Sequence, residues 1–373
     1  MKKILIMGMS PVLAGTETFI MTYYRYLDKT KFKIDFLVNT KEKIIFEKEI
    51  LQNGSKIYRL PRKGKNLKKY YQSLDDLFKS FSGEYDIFWF NGMGIVNLDY
   101  FIYAKKYGIE RRIMHSHSSK WGGNFIRRIF HEMNRRKLDD VATDYFACSE
   151  TAADFMFPTK IRSKVKIINN AIEMENFTFD SLKRQEIRDE LGWPENVKIV
   201  GNVGRLSYQK NQGALIDYFY EAYKQEQNLR LVILGSKTSN DKTKEIVENK
   251  IKNYGLEKVV KLVGTQNDMK SWLSALDLFI MTSKFEGLPL SAVEAQANGL
   301  PVLLSDSITK ETQINDNVIF LPLGDSVTTW ADKIISQSYQ DRLPKEQVQL
   351  NFDSKGFNIK TQVANIEKIL NDK

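Results

Sequence analysis

The 373 residues predict an α/β protein made of two doubly wound, Rossmann-like domains that face each other across a cleft. Three observations carry that expectation. Strand-like and helix-like apolar segments alternate almost throughout, the pattern of largely parallel sheets covered by helices. The chain, 42% hydrophobic, is too long for one typical core and comfortable for two. The alternation weakens once, around Glu173–Glu195, where charge rises and an interdomain connection is expected, with a short helix near Ser181–Leu191.

Before that interruption the strands are expected at Lys3–Met7, Ile34–Leu37, Lys56–Arg59, Ile87–Phe90, Arg112–His115, Tyr145–Cys148 and Val165–Ile168. Helical patterns at Glu17–Leu27, Ile44–Asn53, Leu67–Phe78, Leu98–Tyr107, Phe125–Lys137 and Glu150–Phe157 separate most of them. This gives a first domain over residues 1–172. A second domain, 173–354, repeats the alternation: strands at Ile199–Val203, Leu229–Leu234, Val259–Val263, Leu276–Thr282, Val302–Ser305 and Val318–Leu321, with helices at Gly213–Gln225, Thr243–Tyr254, Asn267–Ala275 and Ser326–Gln337. Phe357–Leu370 ends the chain as an amphipathic helix. In such domains ligands bind at the carboxyl ends of the strands.

Composition narrows the function. A single cysteine, Cys148, leaves no intramolecular disulfide and fits a reducing cytoplasm. The apolar run after Met1-Lys2-Lys3 is too short for a signal peptide and reads as the first strand. No stretch of about 18 apolar residues exists, so none is expected to span a membrane. The net charge is +10, with basic groups at Arg59, Arg62, Lys63, Lys65, Lys68 and Lys69, at Arg111 and Arg112, and at Arg127, Arg128, Arg135, Arg136 and Lys137. Such surfaces attract nucleic acid, anionic lipid or a phosphorylated substrate, or simply keep a protein soluble. No nucleic-acid-binding signature accompanies them, so no nucleic-acid partner is expected. Trp121, Phe125, Ile126, Ile129 and Phe130 lie among the later arginines. That spacing suits a helix on a phospholipid surface, and equally a helix packed in a core.

The most informative segment is Phe285-Glu286-Gly287-Leu288-Pro289-Leu290-Ser291-Ala292-Val293-Glu294-Ala295. Two carboxylates flank a Gly-Leu-Pro turn between a buried strand and a helix, with Pro289 expected at the first helical position and Gly299 beyond the last. The free amides of such a helix start bind anions, while carboxylates beside it bind hydroxyls; phosphate and hydroxyls together describe a nucleotide-sugar. The alternative is an ordinary turn with two solvated glutamates. Upstream, Gly204-Arg205-Leu206-Ser207-Tyr208-Gln209-Lys210 follows a strand. Arg205 and Lys210 there suit a diphosphate, one as a planar fork and one as a point charge, and their charge also stabilises a departing diphosphate.

These residues resemble the retaining nucleotide-sugar glycosyltransferases of family 4, which share the GT-B fold. GRLSYQKN and EGLPLSAVEAQANGLPV carry the likeness most specifically. Ala14-Gly15-Thr16-Glu17 resembles the family's Gly-Gly-x-Glu loop, and Arg112–His117 (RIMHSH) is similar to a subgroup that builds bacterial exopolysaccharide and capsule. Cys148-Ser149-Glu150 and Ile168–Ile172 (INNAI) also fall where such enzymes have characteristic turns. Departures are Ala14 for the first loop glycine, and Asn170-Ala171 and Glu173 in the interdomain turn.

The resemblance implies the roles. Glu294 holds the ribose hydroxyls, and Glu286 faces the donor sugar. Backbone amides around Gly287, Leu288, Leu290 and Ser291 meet sugar and phosphate. Arg205 and Lys210, near Gly204, hold the diphosphate. Gly15 admits the phosphate close to the first loop, and the nucleobase lies near Gly235–Lys237 and Gly264–Asp268. His115 is expected to project into the cleft and orient the sugar, with His117 as its rival; His131 is expected to be structural. The final helix, about 355–373, is expected to return to the first domain. The implied reaction is retaining transfer, most simply from a UDP-sugar to a lipid-diphosphate-linked oligosaccharide at the inner membrane face. No cofactor is expected, and no metal: Asp-x-Asp is absent, and the three histidines lack metalloprotease spacing. Two other functions stay open, a GT-B nucleotide-sugar epimerase and a noncatalytic partner of a transferase.

Overall fold

In a computed structural model, residues 1–64, 66–119, 125–237, 241–286 and 288–372 are described. Lys65, Trp121 and Gly287, singled out above, lie outside them. The chain divides into unit 1, residues 1–171 with 359–373, and unit 2, residues 172–358. The bounds expected from the sequence were 172 and 355.

Unit 1 contains seven strands: β1 (Lys2–Met7), β2 (Phe32–Val38), β3 (Ile57–Arg59), β4 (Ile87–Gly92), β5 (Arg111–Ser116), β6 (Asp144–Ala147) and β7 (Lys166–Ile167). They pair in parallel in the order β3-β2-β1-β4-β5-β6-β7. Unit 2 contains β8 (Lys198–Val203), β9 (Leu229–Leu234), β10 (Val260–Gly264), β11 (Leu278–Met281), β12 (Val302–Ser305) and β13 (Val318–Leu321), also all parallel, in the order β10-β9-β8-β11-β12-β13. A parallel strand is covered on both faces, which is why these runs are apolar rather than alternating: every residue of β11 and of β12 is buried. Strand order reverses between β1 and β4 and between β8 and β11, and these switch points are where ligands bind in doubly wound sheets.

In unit 1 one face of the sheet carries Leu74, Phe78, Phe88 and Phe101, and the other carries Ile4, Ile6, Phe19, Tyr23 and Trp89. The final helix, Ile359–Asn371, belongs to the second layer through Ile359, Ile366 and Leu370. Burying those three side chains contributes on the order of 5 kcal/mol. Several polar contacts fix its register, among them Lys2 Nζ donating to Leu370 O at 2.9 Å, Glu367 Oε1 accepting from Asp28 N at 2.8 Å and Arg111 donating to Ile369 O at 3.0 Å.

The charged stretch 173–195 is not a connection. Its helix, Ser181–Leu191, is capped by Asp180, which accepts from Leu182 N and Lys183 N, and it is stopped by Gly192 at φ 65°. Ile187 and Leu191 enter the core of unit 2. Arg184 and Arg188 meet Asp277 at 2.6 and 3.2 Å. The charge that suggested a linker instead binds this helix to the start of β11. Two α-helices of the described residues went unforeseen: the single turn Thr159–Arg162, and Lys345–Ser354, which is held by Val348 and Phe352.

Candidate active site

At the unit 2 switch point two loops leave neighbouring strands and lace together. The loop after β8 carries Gly204, Arg205 and Lys210; the loop after β11 carries Lys284–Pro289. Lys284 N donates to Gln209 O at 2.8 Å, and Gln209 Nε2 donates to Phe285 O at 3.1 Å. Thr282 Oγ1 donates to Asn211 O at 3.2 Å. Beneath them, Gln212 Nε2 donates to Arg205 O at 3.1 Å and Asn202 Nδ2 to Ile280 O at 2.8 Å. Two loops joined this way hold their side chains in fixed register.

Gly204 and Gly235 let the end of β9 approach the loop after β8. Gly235 has φ +142°, and a Cβ there would lie 2.1 Å from the Gly204 carbonyl oxygen. No side chain fits, so the ends of β8 and β9 touch backbone to backbone.

The helix Leu290–Ala297 starts at this same edge. Pro289 is its N-cap, one position earlier than expected, and Gly299 follows the C-cap with φ +79°. No side chain caps the start. The amides of Leu290 and Ser291 find no acceptor among the described residues, whereas Ala292 N reaches Pro289 O at 3.0 Å. Ser291 Oγ donates to Val203 O at 3.2 Å, tying the helix start to the end of β8. Leu288 and Leu290 pack their side chains against the apolar cluster around Val293 and Ala297. Two free amides at the positive end of the helix dipole are a geometry that suits an anion.

The charged residues divide sharply. Lys210 Nζ lies 2.7 Å from Glu286 Oε1, both side chains mostly buried. Sequence reasoning had placed these two on separate parts of a ligand and did not foresee that they pair. Arg205 is exposed, and its guanidinium has no partner among the described residues. Glu294 is half-buried, its carboxylate accepts no hydrogen bond among the described residues, and burial pushes its pKa up to about 7. The site thus offers free amides, a free cation, a paired cation and an unsatisfied carboxylate. It suits a diphosphate carrying hydroxyl-rich groups.

Unit 1 presents its own switch point. Helix Gly15–Tyr26 begins after the β1 loop with Ala14 as N-cap and no side-chain cap. No atom lies within 4 Å of where a Cβ on Gly15 would stand, so the approach to this helix start is open. Glu17, in the first turn, is buried, with Oε2 unpartnered among the described residues.

The histidines require a correction. His115 does not project from the strand end. It is 0% exposed, with its ring 4.7 Å from Phe19 and stacked 6.0 Å from Trp89, and burial next to His117 drives its pKa well below 6.5. His117 lies one residue past β5 and is only partly buried. Its Nε2 is 2.9 Å from Asn91 Oδ1, and desolvation lowers its pKa to about 3, so it stays neutral. The two rings lie 4.3 Å apart. Asn91, at the end of β4, escaped the sequence reading; a polar residue at the carboxyl end of a strand beside the switch point was the available signal. His131 is structural, as expected: its buried ring accepts from Ile95 N at 3.1 Å.

The two parallel, doubly wound sheets are those of the GT-B fold, and the relatives that the chain resembles are glycosyltransferases. Residues 183–350, which contain every unit 2 site residue named above, match the family described as Glycosyl transferases group 1. Over 368 residues, 96% of this chain and 93% of the other, the sequence is 28% identical to the putative glycosyltransferase EpsF of Bacillus subtilis strain 168. Over 150 residues, 38% of this chain and 37% of the other, it is 33% identical to the UDP-Gal:alpha-D-GlcNAc-diphosphoundecaprenol alpha-1,3-galactosyltransferase of Escherichia coli. Among solved structures, Anabaena Alr3699/HepE in complex with UDP superposes with a TM-score of 0.79 at 18% identity, covering 99% of both chains.

Proposed function

We propose that this chain is a retaining, metal-independent transferase that moves a sugar from a UDP-sugar to a lipid-diphosphate-linked oligosaccharide during exopolysaccharide or capsule synthesis. One observation carries the reading: at the β8/β11 switch point, uncapped helix amides, Arg205, Lys210 and the unsatisfied Glu294 stand together, ready for diphosphate and ribose. The likeness to EpsF, to an enzyme named for UDP-galactose and a diphosphoundecaprenol acceptor, and to a fold solved with UDP supports the choice of donor and acceptor.

The chemistry follows from the residues. The diphosphate lies against the amides of Leu290 and Ser291, with Arg205 and Lys210 neutralising it. Glu294 accepts from the ribose hydroxyls. Glu286, held by Lys210, faces the donor sugar, so one ammonium links the sugar-facing carboxylate to the leaving group. The acceptor hydroxyl oxygen attacks the anomeric carbon on the face from which the diphosphate departs. The bond from that carbon to the diphosphate oxygen breaks, its electron pair stays on the diphosphate, and a phosphate oxygen takes the acceptor proton. Charge gathers on the leaving group as the bond breaks, so the basic pair and the amides stabilise the transition state more than the ground state. The basic pair supplies the positive charge that a divalent ion would otherwise bring. His117, neutral and partly exposed, is the histidine of unit 1 available to a sugar.

The acceptor is membrane-borne, so the enzyme works at the inner face of the cell membrane. No helix among the described residues is long and apolar enough to cross one. Transfer from a panel of radiolabelled UDP-sugars to extracted polyprenyl-diphosphate oligosaccharides, in EDTA, tests the proposal. Labelled lipid whose new linkage keeps the donor's anomeric configuration is expected. Donor turnover without transfer, or an absolute requirement for a divalent ion, would overturn it.

A further inference from the structure

The helix Phe125–Arg135 in unit 1 is amphipathic the wrong way round for a protein in water. Its polar side chains hold it to the protein. His131 Nδ1 accepts from Ile95 N at 3.1 Å, and its ring stacks on Phe155 at 4.7 Å. Asn134 Nδ2 donates to Ile95 O at 3.1 Å. Arg135 donates to Asp154 O and Phe157 O at 2.8 and 2.9 Å. Its apolar side chains point away. Phe125, Ile126, Ile129, Phe130 and Met133 are 74, 63, 44, 48 and 53% exposed. At about 100° per residue they share one arc of about 140°, and His131, Asn134 and Arg135 occupy the opposite side. A helix of a soluble domain turns such a stripe inward.

Charge selects what covers the stripe. Arg127, Arg128, Arg136 and Lys137 are exposed beside it. The acid within the helix, Glu132, lies 3.5 Å from Arg135, and Asp139 just beyond is paired with Lys160 at 2.8 Å. A second copy of a chain of net charge +10 would bring like charges together; an anionic surface complements them. An apolar stripe flanked by arginines and lysines is the pattern that seats in the headgroup layer of an anionic bilayer. We infer that the helix Phe125–Arg135 is a membrane-docking element: its five apolar side chains enter the interface of an anionic bilayer, and the flanking arginines and lysine meet the lipid phosphates. The helix follows β5, the strand whose carboxyl end leads to His117. Docking therefore holds that edge of unit 1 near the lipid headgroups.

The inference deepens the proposal of a membrane-borne acceptor by naming the surface that meets the membrane. Flotation of the full-length protein with sealed vesicles reads it without any sugar. The wild type is expected to float with phosphatidylcholine–phosphatidylglycerol vesicles at least about tenfold more than with phosphatidylcholine alone. The double variant Phe125→Asp, Phe130→Asp should lose at least about tenfold of that binding, and Arg128→Glu, Arg136→Glu should lose the preference for anionic lipid. All four positions are exposed, so the melting temperature and UDP affinity of both variants should match the wild type. Variants that float like the wild type, a wild type that floats with neither vesicle, or an aspartate variant that only splits a dimer would each overturn the inference. A chain that floats but transfers no sugar would sink the transferase proposal alone. One that glycosylates a detergent-solubilised acceptor but never floats would sink this inference alone.

Discussion

Glu294→Gln should make the ligand-free protein more stable and a worse binder at once. Burial raises this carboxyl from 4.5 to about 7, and no donor among the described residues repays the ionised form. At about 1.4 kcal/mol per pH unit, that places about 3 kcal/mol on the folded carboxylate. The sign is fixed. A raised folded pKa means full stability below 4.5, lost progressively as pH rises through 7. Glutamine keeps the shape and removes the charge. The variant should therefore melt together with the wild type at pH 4.5 and up to about 6 °C above it at pH 8. Donor binding should go the other way. A carboxylate accepting ribose hydroxyls contributes about 1.5–3 kcal/mol, so the variant should bind UDP about 10- to 100-fold more weakly at pH 8. Differential scanning fluorimetry across pH and titration calorimetry with UDP read both effects. Equal melting temperatures at pH 8 together with equal UDP affinity would refute the reasoning.

Lys210→Ala should lower transfer at least about 100-fold in a protein that still folds, because it removes charge from the leaving group and releases Glu286; initial rates with circular dichroism check it. Gly235→Ala forces a Cβ to 2.1 Å from the Gly204 carbonyl and should cost at least about 2 kcal/mol by urea denaturation. His117→Ala should lower kcat with little loss of stability, whereas His115→Ala, which empties a space lined by Phe19, Trp89 and Phe146, should chiefly lower the melting temperature. Because desolvation holds His117 at about 3, its own contribution to stability should fall as pH drops below 6.5, by about 1.4 kcal/mol per pH unit until that histidine charges, which the difference between wild type and His117→Ala across pH reads.

The strands were legible because parallel sheets bury whole runs such as LFIM and VLLS. The helix Lys345–Ser354 was not, since KEQVQLNFDS offers only Val348 and Phe352 to the core, Leu350 is exposed and the remaining residues are polar. Residues 173–195 misled because charge density resembles a linker. The arginines there are long enough to cross the surface and bond Asp277, a partner some 90 positions away. The candidate residues that unit 2 brings to the β8/β11 switch point were legible because they sit in two short local motifs. The Lys210–Glu286 pair was not, because the contact depends on the laced loops rather than on spacing. The choice between His115 and His117 could not be made from sequence: two residues apart on a strand, they share a face, and only the end of β5 at Ser116 separates a core ring from an accessible one.

The site at the β8/β11 switch point stands or falls by where the nucleotide goes. A crystal structure of the protein soaked with UDP should show the diphosphate against the amides of Leu290 and Ser291, Arg205 and Lys210 within hydrogen-bonding reach of its oxygens, and Glu294 on the ribose. UDP bound at another place, with Glu294 still unsatisfied, would contradict the account.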